Sequence, residues 1–386
     1  MLLERALVGS RKYWMWMSFL GAVVLVGVLF YLKQFTYGLG ITGLSRDVTW
    51  GFYIAQFTFL VGVAASAVMV VLPYYLHDYK AFSKITILGE FLAISAVVMC
   101  VTFIFVDMGQ PLRIVNVLLY PSPGSMIFWD VIALNGYLAL NALIGFVVLS
   151  AERKETAPPG WIKPVIILSI PWAISIHTVT AFLYSGLSAR PFWMTAILAP
   201  RFLASAFASG PALLILLCLL LKKITRFDAG EKPVQALALI ATYAMLINVF
   251  FVLMEVFTAF YSDIPEHTSH FLFLFAGLGG NATLVPWMWT SVALAVVALA
   301  LLLNPGTRRT PETLAVACMA IFGSIWIDKG LGMVVTGFIP TPMGEVVRYW
   351  PTFPEVMISL GVYGIGLFLL SGLYKIVLSL RGEVAV

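Results

Sequence analysis

Ten long apolar stretches constrain this chain more than any other feature of its sequence. They cover residues 13–33, 50–76, 84–106, 126–149, 164–188, 201–222, 234–260, 284–303, 312–337 and 355–379. Each is long enough to cross a bilayer as a helix, since about 20 apolar residues span its hydrocarbon core. Charged residues make up only 11% of the 386 residues, whereas globular soluble domains carry roughly 25%. The sequence therefore predicts an all-α integral membrane protein with ten transmembrane helices.

The basic residues alternate between the two sides of this predicted array. Of the 23 lysines and arginines, 16 fall in the two termini and in the loops after the second, fourth, sixth and eighth stretches. The other seven, which include Arg201 and Lys329, are counted on the opposite, outer side. Because cytoplasmic loops are enriched in basic residues, both termini are predicted to be cytoplasmic. The expected location is a prokaryotic cell membrane. The first stretch follows basic residues, as a signal peptide does, but it lacks a small-residue cleavage site and ends at Lys33. We therefore expect a retained helix.

The sequence offers no site for a metal or redox cofactor. Cys100, Cys218 and Cys318 each stand alone in an apolar stretch, and the chain has no Cys-x-x-Cys pair. All histidines except His177 fall in loops or at helix ends, so a bis-histidine haem within the membrane is not expected. A phosphate loop and a dinucleotide-binding fingerprint are also absent. We expect no haem, metal or iron–sulfur cluster on this chain.

Several ionisable residues lie within the predicted spans, where each costs about 2.5–3.5 kcal/mol on insertion scales. Most of them fall in the predicted outer half: Asp107, Asp130, His177, Glu255, Asp328 and Lys329. Adjacent residues of a helix point about 100° apart, so Asp328 and Lys329 need separate partners, and Glu255 is the expected partner of Lys329. Glu255, Asp328 and Lys329 form either a proton pathway or ion pairs that only hold helices together.

His177 and Tyr184 form the most informative pair in the sequence. They are seven residues apart, which is two helical turns, and so they share one face of the fifth predicted helix. Both side chains can hydrogen-bond to a carbonyl oxygen in an apolar slot. The alternative is a buried histidine that serves packing alone.

Motifs at the predicted outer ends of the helices resemble a known family. They are Asp107-Met-Gly-Gln-Pro-Leu-Arg113, the segment Pro121-Ser-Pro-Gly-Ser-Met-Ile-Phe-Trp129, and Tyr184-Ser-Gly186 with Ala189-Arg-Pro-Phe-Trp193. Their order resembles the NrfD-like polysulfide-reductase membrane subunits over residues 50–337. The segments from Ile327 to Gly332 and from Pro340 to Glu345 are most similar to the ten-helix subunits of the DsrMKJOP type, the Hdr-like menaquinol oxidoreductases.

The resemblance implies a fold of two four-helix bundles plus two flanking helices. Residues 1–49 would hold the first flanking helix and an outer loop, and residues 50–188 the first bundle with the quinone site. Residues 201–337 would form the second bundle, and 338–386 an outer loop and the last helix.

The resemblance also implies a function: a cofactor-free, quinone-reactive subunit of a menaquinol-oxidising oxidoreductase complex. Menaquinol would be the substrate, and proton translocation could accompany the electron transfer. The implied partners are an extracytoplasmic ferredoxin-like iron–sulfur subunit, a multihaem cytochrome c subunit, a membrane cytochrome b and cytoplasmic Hdr-like iron–sulfur subunits.

Site residues follow from combining the motifs with the polar residues in the spans. The predicted quinone site consists of Tyr184, His177, Tyr53, Gln56, Asp107, Arg113 and Trp129. The family's Asn and His pair falls near Tyr53 and Phe57, where this chain differs, so Tyr53, Gln56 or Thr58 would have to substitute. The predicted proton pathway consists of Glu255, Asp328 and Lys329 in the second bundle.

Two other classes of function fit a ten-helix chain. A secondary transporter would suit the charges within the spans, but no two stretches are interrupted by Gly or Pro at matching depths. A structural anchor for electron-transfer subunits would use the charges only to join helices. Solute transport by the isolated chain would identify the first class, and a complex without bound quinone the second.

Overall fold

The computed structural model describes residues 4–64 and 66–384 of the chain. Within them the fold is all-helical, without a β-strand, and ten helices are long and apolar enough to cross a membrane. They are α1 (Arg11–Tyr37), α2 (Phe52–Ala64 and Val68–Leu76), α3 (Thr86–Asp107), α4 (Met126–Arg153), α5 (Ile162–Ser185), α6 (Leu198–Ile224), α7 (Glu231–Tyr261), α8 (Val285–Leu303), α9 (Pro311–Thr336) and α10 (Phe353–Leu380). The prediction of ten spans is confirmed.

From α2 to α5 and from α6 to α9, helices that follow one another in the chain pack side by side. The principal contacts in the first half join α2 with α3, α3 with α4, and α4 with α5. In the second half α6 packs on α7, α8 on α9, and α9 back on α6. The halves meet where α2 contacts α6 and α9, and where α5 contacts α6. The predicted domain boundaries and the division into two bundles stay predictions.

Two helices depart from regular α geometry. α2 consists of two segments, and α9 contains a π-helical stretch, Trp326–Gly332, before its last turn, Met333–Thr336. The π-helical stretch holds Asp328 and Lys329, two of the ionisable residues that the sequence places within spans. Such π segments inside α-helices frequently occur at functional sites.

We call the side where α2, α4, α6, α8 and α10 begin the predicted outer face. A short helix, Pro265–Phe275, lies there between α7 and α8. Its His270 ring stacks on Phe192 at 5.2 Å between centroids, and burial lowers the pKa of His270 to about 4. His270 is therefore neutral at neutral pH. The segment between α7 and α8 thus packs on the protein through aromatic contacts.

α1 and α10 pack against each other through two glycines. A Cβ atom on Gly361 would lie only 2.7 Å from the Cα of Gly27, so the two backbones touch at this point. Small residues commonly permit such close contact between membrane helices. The pair also contacts α3, because α10 lies against that helix.

We expect Gly361→Leu to lower the thermal unfolding midpoint of the detergent-purified protein. The added side chain would force α1 and α10 apart, and such overpacking typically costs about 1–3 kcal/mol. Gly372→Leu is the matched control, because nothing lies within 4 Å of a Cβ atom at this other glycine of α10. Equal midpoints for the two variants would show that the glycine contact contributes nothing.

Candidate functional site

His177 and Tyr184 lie on the buried side of α5, and neither side chain is accessible to solvent. The Tyr184 hydroxyl lies 2.5 Å from the Thr58 hydroxyl of α2, and Thr58 donates to the carbonyl oxygen of Ile54 at 2.7 Å. Since Thr58 uses its proton on that carbonyl, Tyr184 is the donor to Thr58. The pair predicted from the sequence therefore faces α2, within the interior of the helix array.

Aromatic rings enclose Tyr184 on the side of the predicted outer face. We call Trp50, Trp193, Phe202 and Phe338 the aromatic cluster. Tyr184 lies 4.9 Å from Trp193 and 5.4 Å from Trp50, measured between ring centroids, and 6.0 Å from Phe202. The Trp193 indole donates to the Met333 carbonyl oxygen of α9 at 2.9 Å. The cluster thus fixes Tyr184 between the two halves of the protein and separates it from water.

His177 has no hydrogen-bond partner at either ring nitrogen among the described residues. Most buried polar side chains in proteins are hydrogen-bonded, so each exception needs an explanation. One explanation is a bound molecule that supplies the missing partner. His177 is therefore the residue at this site whose surroundings point most directly to a ligand.

A buried acid completes this part of the site. Asp130 of α4 accepts a hydrogen bond of 2.7 Å from the Thr180 hydroxyl of α5, and both side chains are buried. Thr180 is three residues from His177 and four from Tyr184, so all three share one face of α5. Through Thr180, the carboxyl group of Asp130 is thus in contact with the face of α5 that carries His177 and Tyr184.

Tyr53 and Gln56 lie on other sides of α2 and do not join this group. The Tyr53 hydroxyl donates to Gln34 of α1 at 2.7 Å. Gln56 accepts from Trp326 of α9 and from Tyr363 of α10, both at 2.7 Å. Gln56 and Thr58 are two residues apart and point to nearly opposite sides of the helix. Thr58 is therefore the residue of α2 that contacts Tyr184.

Three predicted residues occupy the predicted outer face and do not meet Tyr184. Asp107 ends α3, and its buried Oδ1 atom has no partner among the described residues. Arg113 is exposed on a short 3-10 helix. Trp129 is 44% exposed and donates to the Pro123 carbonyl oxygen at 2.8 Å, so Trp193 rather than Trp129 packs against Tyr184.

The predicted proton-pathway residues form an ion cluster around an arginine. Arg201 of α6 pairs with Glu255 of α7 and contacts both carboxylate oxygens of Asp328 of α9 at 2.8 Å. The expected pairing of Glu255 with Lys329 is wrong, because the arginine occupies Glu255. The cluster joins three helices of the second half by charge-assisted hydrogen bonds.

Lys329 is buried apart from this cluster. Its ammonium nitrogen lies 4.3 Å from the centroid of the Phe202 ring and 3.4 Å from the Phe202 carbonyl oxygen. A Cβ atom on Gly62 of α2 would lie 3.3 Å from that nitrogen. Since Phe202 also contacts Tyr184, Lys329 is much closer to the predicted quinone site than the sequence suggested.

Sequence reasoning misses three residues that contribute to these groups. From the sequence, Thr58 is only one of three alternatives on α2, and Asp130 belongs to neither predicted site. Arg201 is counted with the outer basic residues, although its side chain is buried and only 7% exposed. The position of Asp130 within a span is a usable signal. No local pattern shows that Arg201 meets two acids from distant helices.

Within residues 4–64 and 66–384, no three His, Cys, Asp or Glu side chains come together as metal ligands would. The cysteines are buried separately. The candidate site consists of hydrogen-bonding side chains and the aromatic rings around them.

Comparison with known proteins places this site in a family context. The family model for polysulphide reductase, NrfD, matches residues 40–337. A putative dimethyl sulfoxide reductase membrane subunit of Halobacterium salinarum is 25% identical, over 93% of this chain and 90% of its own. The Hdr-like menaquinol oxidoreductase integral membrane subunit of Archaeoglobus fulgidus is 24% identical, over 77% and 73%.

A third relative covers a shorter part of the chain. A selenate reductase subunit of Mesobacillus selenatarsenatis is 22% identical, over 53% of this chain and 55% of its own. The family model alone covers more than half of the chain. It includes His177, Tyr184 and the ion cluster, whereas Phe338 of the aromatic cluster lies one residue beyond its end. This chain is therefore a multi-pass membrane protein of the NrfD polysulphide reductase family.

Proposed function

We propose that this chain is the quinone-reactive membrane subunit of a respiratory electron-transfer complex, with menaquinol as its substrate. The observation that carries the proposal is the buried His177, with both ring nitrogens unpartnered among the described residues, on the same face of α5 as Tyr184. A quinol head group is a flat apolar ring with a hydroxyl at each end, so it needs apolar walls and two polar contacts. The menaquinol oxidoreductase among the relatives supports menaquinol as the quinol.

The proposed chemistry is oxidation of menaquinol to menaquinone, which releases two electrons and two protons. Neutral His177 can accept a proton from one quinol hydroxyl at its unprotonated ring nitrogen. Tyr184 can turn its hydroxyl from Thr58 to the other ring oxygen. The helical rise between the two residues is about 10 Å, and we propose that the head group binds along this length of α5. Asp130 accepts a hydrogen bond from Thr180, which lies between these two residues on α5, so a proton can reach Asp130 through the Thr180 hydroxyl.

The electrons are proposed to leave through partner subunits. The relatives are named as subunits of reductases or oxidoreductases, which implies redox partners for this chain. We propose an iron–sulfur subunit of the ferredoxin-like type on the predicted outer face, together with a multihaem cytochrome c. A membrane cytochrome b and cytoplasmic Hdr-like subunits complete the proposed complex.

Purification of the assembled complex tests this function. We expect iron–sulfur and haem subunits to copurify, menaquinone to be extractable from the preparation, and a menaquinol analogue to reduce the partner's centres. A complex without quinone or quinol-dependent reduction would favour the structural anchor. Solute uptake by the chain in vesicles would favour the transporter. The fold does not favour it, because a transporter has helices interrupted at matching depths. The irregular parts of α2 and α9 instead lie about 21 and 10 Å from the predicted outer ends of their helices.

The orientation of the protein is a separate proposal. Arg201 and Lys329, two of the seven basic residues counted on the outer side, are buried within helices, so the charge asymmetry between the loops is larger than the sequence suggested. We expect a reporter fused after the C-terminal residue to be active in the cytoplasm. A fusion that is active only outside the cytoplasm would invert the proposed orientation.

The ion cluster is proposed to contribute to proton translocation through the second half. We expect Glu255→Gln to lower proton translocation in vesicles while the affinity for a quinol analogue stays unchanged. The reason is that Gln can still accept from Arg201 but cannot carry a proton. Unchanged translocation, or loss of assembly, would show that Arg201, Glu255 and Asp328 only join helices.

A further inference from the structure

A cavity of about 390 Å³ lies at the opposite end of the molecule from the aromatic cluster. It is bounded by the end of α2, the start of α3, the end of α4 and the residues after α10. The lining residues with ionisable groups are Tyr74, Tyr75, Lys84, Glu90, Glu152, Arg381 and Glu383. The cavity opens on the predicted cytoplasmic face, and the proposed quinone chemistry does not use it.

Glu90 is the most deeply buried acid of this cavity. Its side chain is 2% exposed, and no described residue hydrogen-bonds to its Oε2 atom. An unpaired carboxylate in such surroundings is costly, so the group needs either a partner or a proton. The cavity offers both, because it is lined by polar groups and is large enough to hold water.

The cations around the cavity are engaged elsewhere. Arg381 donates to both carboxylate oxygens of Glu152, at 2.6 and 3.3 Å, and to the Lys84 carbonyl oxygen at 2.8 Å. The Lys84 ammonium group donates to the Asp228 carbonyl oxygen at 3.3 Å. Neither cation forms a salt bridge with Glu90, so the acid is not one half of an ion pair.

The other described elements around Glu90 bring no further cation to it. Tyr74 and Tyr75 of α2 line the cavity. On α10, the Tyr374 hydroxyl donates to the Leu88 carbonyl oxygen at 2.8 Å. In the described part of the chain, tyrosines and further acids therefore face Glu90 besides the two engaged cations.

A second unpartnered group lies on the inner side of Glu90. A Cβ atom on Gly89 would lie 3.5 Å from the Cα of Ala67, so α3 touches α2 beside Ser66. The Ser66 hydroxyl is buried without a partner among the described residues, as is His177 deeper in the same half. Ordered by their depth along the helices, the unpartnered groups of Glu90, Ser66 and His177 lie successively farther from the cavity and closer to the predicted outer face.

We propose that this cavity is a proton port of the predicted cytoplasmic face, in which Glu90 exchanges protons between cavity water and the membrane interior. Glu90 takes a proton from the membrane interior and releases it to water in the cavity, without any change of oxidation state. The proposal rests on the proposed function only for the source of the proton, the quinone site, where oxidation of menaquinol releases it.

Infrared difference spectroscopy of the purified complex tests the port without any quinol. A carboxylic acid that titrates through the cavity gives a C=O band that changes with bulk pH and shifts in D₂O. We expect this band in the wild type, its loss in Glu90→Gln, and its retention in the control Glu383→Gln, which changes an acid of the same cavity. A Glu90→Gln spectrum identical to that of the wild type would overturn the proposal.

Blocking the cavity gives a second test on a protein that has already folded. Ser83 is exposed and lines the cavity, whereas the native cysteines are buried. Ser83→Cys should show wild-type pH changes during oxidation of a menaquinol analogue in vesicles. After labelling with a bulky, membrane-impermeant thiol reagent, those changes should slow at least tenfold, with analogue affinity within twofold of the unlabelled value.

The two tests also separate this proposal from the proposed function. Fully labelled Ser83→Cys with wild-type pH changes would show that protons do not pass through the cavity. A wild-type complex that oxidises no quinol would contradict the proposed function, yet the infrared band would still show whether Glu90 exchanges protons with the cavity.

Discussion

His177→Ala is expected to lower quinol-linked electron transfer by about a hundredfold or more while the complex still assembles. A positioned acid–base group typically contributes about 10²–10⁴-fold to a rate, and His177 is the proposed proton acceptor. The side chain makes no hydrogen bond to any described residue, so its removal breaks none within the fold. The measurement is the rate at which a menaquinol analogue reduces the partner's centres.

Tyr184→Phe tests the other end of the same site. Its effect on binding is small, because one hydrogen bond contributes about 0.5–1.5 kcal/mol, but the rate should fall further if the hydroxyl also handles a proton. Tyr374→Phe is the matched control, since it removes a buried tyrosine hydroxyl that donates 2.8 Å to Leu88 at the other end of the molecule. Wild-type turnover in both His177→Ala and Tyr184→Phe would place the quinone site elsewhere.

Arg201→Met should cause the largest loss of stability among single substitutions in the second half. Arg201 pairs with Glu255 and Asp328, and all three side chains are at most 14% exposed. Removing one partner of a buried ion pair costs about 3–5 kcal/mol, because the remaining charge loses its compensation. We expect a marked drop in the thermal unfolding midpoint of the detergent-purified protein and in the yield of assembled complex.

A triple variant separates the ionic contribution from packing. Arg201→Met combined with Glu255→Gln and Asp328→Asn removes all three charges while it keeps side chains of similar volume, so most of the stability should return. If the triple variant is no more stable than Arg201→Met, the arginine acts through its own packing and hydrogen bonds. The quinol affinity of the triple variant should match that of the wild type, because the ion cluster lies outside the proposed quinone site.

The membrane class, the ten spans and the positions of several polar residues can all be read from the sequence alone. Spans are recognisable because a bilayer demands about 20 apolar residues in a row, which is a local property of the chain. The seven-residue spacing likewise places His177 and Tyr184 on one face of α5, because two helical turns separate them. These inferences need only helix geometry and the composition of single segments.

Which faces of different helices meet is visible only in the folded structure. In α2 every residue from Tyr53 to Ala64 is buried, so the helix has no polar side to indicate its rotation, and the sequence could not choose between Gln56 and Thr58 as the neighbour of Tyr184. Arg201 stands at the start of a span and resembles a loop residue in the sequence. Its partners, Glu255 and Asp328, are 54 and 127 residues away. Contacts between distant segments depend on how whole helices rotate and pack, and a single sequence carries no periodic signal for that.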